Sequence, residues 1–141
     1  MSNEKRVPYT DLQKSFVRKM LKNITEAQEY WKNDLDVDTP YASFYTELHP
    51  FMELVSDSLL AENNLLAKKA FDLIETFLIN ADQESKDAIA YFFFEDLTNR
   101  LGKKNKKYMQ ILIKLLGPNC KECCRTVDIF WKTKTPGLWD K

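Results

Sequence analysis

Two apolar helical segments joined by a short polar turn, from Asn64 to Leu101, constrain this chain more than any other stretch. Leu66, Ala70, Leu73, Ile74, Phe77 and Leu78 recur at steps of three and four, the spacing that lines one face of an α-helix. After the turn Asn80-Ala81-Asp82-Gln83-Glu84 comes Ala88-Ile89-Ala90-Tyr91-Phe92-Phe93-Phe94, apolar on every side, then Leu97 and Leu101. A helix without a polar side must be surrounded by other elements. The stretch is therefore expected at the centre of the core.

The rest of the chain reads as helices added to this one. Thr10 or Asp11 can cap a first helix that turns Leu12, Phe16, Val17 and Met20 inward. Asn23 and Thr25 suggest a break, and Thr25-Glu26-Ala27-Gln28 has the form of a capping box opening a second helix through Tyr30 and Trp31. A single bent helix from Thr10 to Asn33 is the competing reading. Asp34-Leu35-Asp36-Val37-Asp38 alternates as a strand would, but it has no second strand to pair with and reads as an acidic loop. Thr39 as cap and Pro40 at the first position open the next helix. That helix carries Phe44, Leu48, Phe51, Met52, Val55 and Leu59 inward and is expected to kink or restart at Pro50.

Beyond Gly102, Lys103-Lys104-Asn105-Lys106-Lys107 forms a basic turn. Tyr108, Ile111, Leu112, Leu115 and Leu116 make an amphipathic helix stopped by Gly117-Pro118. A last helix from about Asn119 to Trp131 offers Cys123, Val127, Phe130 and Trp131 as its inner face. The expectation is an all-α domain of six or seven short helices in antiparallel hairpins, either a bundle or a short helical-repeat-like stack. Residues 1–9 are a flexible lead-in, 10–132 the domain, and 133–141 a tail that Leu138 and Trp139 would pin back.

A chain of 141 residues is long enough to bury one core without staples. Its three glycines, Gly102, Gly117 and Gly137, stand far apart, which argues against phosphate-cradling loops and the nucleotide-binding folds built on them. The first residues are polar and lead into no apolar signal region, and no run of about eighteen apolar residues exists to span a membrane. With an odd count of three cysteines, a disulfide framework is not expected, and the cytoplasm is the expected location.

Chemistry has few places to reside. Cys120, Cys123 and Cys124 lie on one side of a helix turn, a spacing seen in metal and redox sites. A structural zinc needs four ligands, and the sole histidine, His49, is distant, so packing is the preferred reading of the thiols. His49, beside Glu47 and Glu53, has no serine or cysteine placed by spacing to make a nucleophile pair. Carboxylate pairs such as Glu26/Glu29 and Glu95/Asp96 read as a solvated face. No catalytic, metal or cofactor residue is assigned, and the chain is read as a non-enzyme.

Charge is more informative. The total is zero, yet residues 1–23 carry a net +4, residues 24–101 a net −11 and residues 102–141 a net +7. Such asymmetry steers partners. The acidic middle suggests a surface of Glu47, Glu53, Asp57, Asp72, Glu75, Asp87, Glu95 and Asp96 that attracts a basic protein. The alternative is a regulatory or adaptor module contacting RNA or protein through the basic C-terminal third, with Lys103, Lys104, Lys106 and Lys107 on phosphates and Tyr108 as a stacking surface.

The pattern Tyr108-Met109, Leu115-Leu116-Gly117-Pro118 and Phe130-Trp131 resembles the end of a widespread, poorly characterised family of small bacterial helical proteins. In that family an aromatic-bearing helix ends in L-G-P and is followed by a helix closing on F-W. Phe16, Tyr30-Trp31, Pro40, Phe44 and Glu95-Asp96-Leu97 extend the resemblance over most of residues 12–132. It implies a cytoplasmic helical domain without a known catalytic centre, with Gly117, Pro118 and Trp131 as fold-defining positions. Some members look like immunity or antitoxin-type proteins of bacterial competition systems. The expected function is thus an immunity protein that occludes a basic toxin domain, for example a nuclease, with an acidic face. Nucleic-acid and membrane partners are not expected, and a small enzyme using His49 or the cysteines is the remotest reading.

Overall fold

In the computed structural model, which describes residues 10–34 and 44–139, the chain is all-helical, with no strand among the described residues. The elements are α1 (Asp11–Asn23), α2 (Glu26–Asp34), α3 (Phe44–Leu60), α4 (Asn64–Asn80), α5 (Gln83–Ile89), a π-helical segment (Ala90–Phe94), α6 (Glu95–Gly102), α7 (Lys106–Leu115) and α8 (Pro118–Trp131). Because α5, the π segment and α6 run on without a break, the elements make seven rods packed as a bundle. The lead-in 1–9, the body of the acidic loop after Asp34, and the helix start at Thr39-Pro40 lie outside the described residues.

The first helix is closed by a capping box, at Thr10 and Gln13. The Thr10 hydroxyl accepts from the Gln13 amide at 3.1 Å while the Thr10 amide donates to Gln13 Oε1 at 3.0 Å. The box expected at Thr25 is not formed: Gln28 reaches back instead, donating to the Leu21 carbonyl at 3.0 Å. Ile24 and Thr25 separate α1 from α2, so the two-helix reading holds over the single bent rod.

The 64–101 stretch shares the centre with α3. The α3 helix touches α2, α4, α5, the π segment, α6 and α7. Burial of Phe44, Leu48, Phe51, Met52, Leu54, Val55 and Leu59 puts apolar side chains on more than one of its sides. The helix continues through Pro50, which is itself buried, with no restart. Around it, Phe16 stacks on Phe77 with centroids 4.6 Å apart and meets Phe44 and Phe51 edge-on, joining α1, α3 and α4. A buried hydrogen bond from Gln13 Nε2 to Ser85 Oγ, 2.9 Å, fastens α1 to α5.

The apolar run 88–94 is only partly surrounded. Ala88, Ile89, Ala90, Phe93 and Phe94 are buried, but Tyr91 is half-buried and Phe92 is 47% exposed. Backbone geometry explains the pattern. The Glu95 amide donates to the Ala90 carbonyl, five residues back, so the turn is wider than an α-turn. The inward pair therefore steps by five, from Ala88-Ile89 to Phe93-Phe94, before the ordinary step to Leu97. Tyr91 and Phe92 are left on the outer side.

The Leu116-Gly117-Pro118 sequence does stop α7 and start α8, with Gly117 as N-cap and Pro118 at the first position. Glycine brings no capping side chain, and α4 supplies one. Glu75 accepts from the Asn119 amide (2.8 Å), the Asn119 side-chain amide (2.8 Å) and the Cys120 amide (2.9 Å). A Cβ at position 117 would stand 2.7 Å from Glu75 Cδ, so any side chain there would push this carboxylate off its amides.

Candidate functional site

The eight acidic residues expected to form one face are dispersed, and several are already engaged. Glu47 is only 8% exposed on the central helix, which corrects its expected place on an outer surface. Glu75 caps α8 and is likewise not a free contact residue. Burial acts to raise the pKa of Glu75, but the hydrogen bonds from Asn119 and Cys120 together outweigh it and hold the carboxyl below its ordinary value. Glu53 lies 3.5 Å from Arg100 and 3.6 Å from His49. Asp57 accepts from the Tyr30 hydroxyl at 2.6 Å, and burial together with that bond pushes the phenol up to about 12. Asp72 pairs with Lys68 one turn away, and Asp87 accepts from Gln83 at 2.9 Å. Asp96 is exposed at the start of α6, and Glu95 beside it is the one with a distinctive neighbourhood.

That neighbourhood is aromatic. Ile129, Phe130 and Trp131, the last three residues of α8, are 66%, 61% and 57% exposed. Phe130 meets Tyr91 of the π segment edge-on at 5.7 Å and Trp131 edge-on at 5.2 Å. The Trp131 indole N–H donates to Glu95 Oε2 at 2.7 Å, which fixes the ring against α6. On the other outer position of the π segment, Phe92 lies 4.9 Å from Tyr45, whose hydroxyl donates to Glu84 at 2.8 Å. Large rings at the surface, each held by a carboxylate or another ring, are pre-ordered for contact.

Phe130 and Trp131 were expected inside. The chain after α8 takes the place they would fill. Lys132 turns into the left-handed region (φ 57°), and the segment 133–139 folds back over the end of the helix. Asp128, itself buried, accepts from the Thr133 hydroxyl (3.0 Å), the Thr135 amide (2.8 Å), the Thr135 hydroxyl (2.9 Å) and the Trp139 indole (2.8 Å). Burial works to raise the Asp128 pKa, and these donors together lower it below the ordinary value. Arg125 donates to the Leu138 carbonyl at 3.1 Å, and Leu138 is buried in the company of Phe94, Ile113 and Cys124. The available signal was the run Ile129-Phe130-Trp131 itself, since three successive helical positions span about 200° and cannot all face one core.

Beside Trp131, α6, α7, α8 and the returning segment enclose an open groove of about 580 Å³. Glu95, Thr98 and Asn99 line it from α6, Met109 from α7, and Val127 and Trp131 from α8. Asp128 and Thr135 also line it, and no cationic side chain does.

The three cysteines are free and buried. Cys120 Sγ faces the Phe71 carbonyl at 3.8 Å and Cys123 Sγ the Lys86 carbonyl at 3.9 Å. Burial, then the nearby negative charge of Glu75, pushes the Cys123 thiol up to about 12, and burial drives those of Cys120 and Cys124 far above their ordinary value. These are packing thiols. Among the described residues, no group of three His, Cys, Asp or Glu side chains is arranged to hold a metal ion. In the basic turn, Lys107 pairs with Glu62 at 3.5 Å and lies over the Tyr108 ring at 5.2 Å from its centroid.

A family model described as a domain of unknown function, DUF7674, matches residues 17–132. The chain belongs to this family. The match takes in every described helix but the first six residues of α1, and leaves the segment that folds over α8 outside. Membership in an uncharacterised family agrees with the resemblance drawn from the L-G-P and F-W motifs. No curated protein and no solved structure matches this DUF7674 domain. Among its described residues, no helix is long and apolar enough to cross a membrane.

Proposed function

We propose that this chain is a non-enzymatic protein-binding domain that docks a basic protein on the surface made by Tyr91, Phe130, Trp131 and Glu95. In its most specific form the reading is an immunity protein, acting in the cytoplasm, that neutralises a basic toxin domain such as a nuclease by covering its active cleft. The observation that carries it is the exposed Ile129-Phe130-Trp131 end of α8 beside the Glu95 carboxylate of α6. Interfaces draw most of their affinity from a few central aromatic and arginine residues, with charge setting partner choice and on-rate. A small domain exposes such rings at a cost in solubility, which a partner offsets.

The test is co-expression of the chain with each basic protein encoded beside its gene, with neutralisation read by growth rescue and by binding. Truncating a central aromatic costs at least about 2 kcal/mol, so Phe130→Ala with Trp131→Ala weakens binding by about a thousandfold if the two add. Raising salt also weakens it, as the charge pairing requires. Undiminished neutralisation by the doubly truncated variant would overturn the reading. Charge reversal at Glu47 or Glu75 is uninformative here, because both are structural.

A further inference from the structure

The groove beside Trp131 is suited to one kind of side chain. Its lining includes Glu95, whose Oε2 already accepts from the Trp131 indole at 2.7 Å. It also includes Asp128, whose hydrogen bonds come only from neutral donors: two threonine hydroxyls, a backbone amide and an indole. Among the described residues neither carboxylate has an ion-pair partner, and the lining offers no lysine or arginine. The Glu95 charge, with one carboxylate oxygen unpartnered among the described residues, thus faces a cleft whose lining includes Met109, Val127, Thr98 and Trp131, and the hydrogen-bonded Asp128 carboxylate adds to the negative potential there. Clefts lined by one sign of charge concentrate the opposite sign.

We infer that this groove is an arginine subsite, receiving one arginine side chain of the basic protein partner. The inference rests on the docking surface proposed above and names what that surface recognises. An arginine matches every wall. Its apolar stem covers Met109 and Val127, as long cationic side chains do on apolar surface. Its planar guanidinium stacks on an aromatic face and still donates in its own plane to a carboxylate, a combination that lysine's point-like ammonium does not reproduce. Glu95 serves both needs, since one oxygen anchors the indole and the other has no partner among the described residues. A phosphate group or nucleic-acid strand meets repulsion from both carboxylates at the same place.

The experiment is a titration of the whole chain, labelled with nitrogen-15, with the blocked tripeptide Ac-Gly-Arg-Gly-NH2 and its neutral isostere in which citrulline replaces arginine. The chain has three tryptophans, so its indole N–H signals are few, and Trp131→Phe assigns the one of interest. The arginine peptide should move the Trp131 indole signal saturably, with the citrulline peptide at least tenfold weaker. Glu95→Gln keeps an acceptor for the indole but removes the charge, and should weaken the arginine peptide at least fivefold without displacing the ring. Equal responses to the two peptides, or an unchanged affinity in Glu95→Gln, overturn the subsite. So does a response confined to the Trp31 or Trp139 signals. If that happens while Phe130→Ala with Trp131→Ala still abolishes neutralisation, the docking surface stands and only the subsite falls; retained neutralisation removes the surface itself.

Discussion

The capping of α8 by a residue 44 positions away makes a demanding prediction. Glu75→Ala strips two backbone amides, of Asn119 and Cys120, of a charged acceptor at a helix start. Loss of a cap and of charge-assisted hydrogen bonds in a half-buried setting is worth about 3 kcal/mol. Gly117→Ala attacks the same contact from the other side. Its Cβ would lie 2.7 Å from Glu75 Cδ and 2.8 Å from Oε1, so the carboxylate must swing away from the amides. Overpacking of this kind costs about 2 kcal/mol. In the Glu75→Ala background there is nothing left to strike, and Gly117→Ala should cost less than about 0.5 kcal/mol. The double variant is then destabilised by about 3 kcal/mol rather than 5, a coupling near 2 kcal/mol. Urea unfolding followed by circular dichroism measures all four corners of the cycle, with an unchanged slope confirming comparable unfolded states. Additivity within about 0.5 kcal/mol would refute the shared contact. Acid gives an independent arm. Because folding lowers the Glu75 pKa, the stability it confers is fully present above its unfolded value, near 4.5, and is lost as pH falls through the lower folded value. The gap between wild type and Glu75→Gln should therefore be widest at neutral pH and close in acid.

Two further outcomes follow from the same packing logic. Asp128→Ala removes the acceptor of four hydrogen bonds that hold residues 133–139; the segment should come free, at about 3 kcal/mol, and limited trypsin digestion read by mass spectrometry should show rapid cleavage after Lys132 and Lys134. Equal cleavage rates in wild type and variant would contradict the clasp. The buried thiols should resist an aromatic disulfide reagent at pH 8, reacting about a thousandfold more slowly in the folded chain than in urea, where all three are titrated. Reaction of any one of them within seconds in native buffer would show that its burial is misjudged.

Local signals were readable, and tertiary substitutions were not. Thr10 as a cap, the break after Asn23, the inward stripe of α7 and the L-G-P punctuation each depend on residues within a turn of one another. The all-helical bundle follows from them. What escaped was whatever depended on distant parts of the chain. Leu138 is buried while Trp131 is exposed, and a left-handed residue at 132 sends the chain back over α8. Glu75 looks like solvent-facing charge until Gly117 is brought beside it. The aromatic surface was hidden for the same reason: a run such as Tyr91-Phe92-Phe93-Phe94 carries the composition of a core, and only the width of its helical turn decides which rings go in. Of the acidic residues singled out by charge, Glu95 borders the candidate site, whereas Glu47 and Glu75 are structural.

The five residues Ala90–Phe94 act on the rod 83–102 as a phase shifter acts on a wave. A regular α-helix advances 100° per residue, so the bearing of its last turn is dictated by its first. One wide turn breaks that obligation. The half before it is aimed by its need to cover α3 and α8, while the half after it is free to aim Glu95 at the indole of Trp131. Deleting one residue from the turn would rotate the far half by about 100°, carrying the carboxylate off the aromatic group and Leu97 and Leu101 out of the core. A single backbone irregularity thus sets, together, the bearing of a surface carboxylate and of the core residues beyond it.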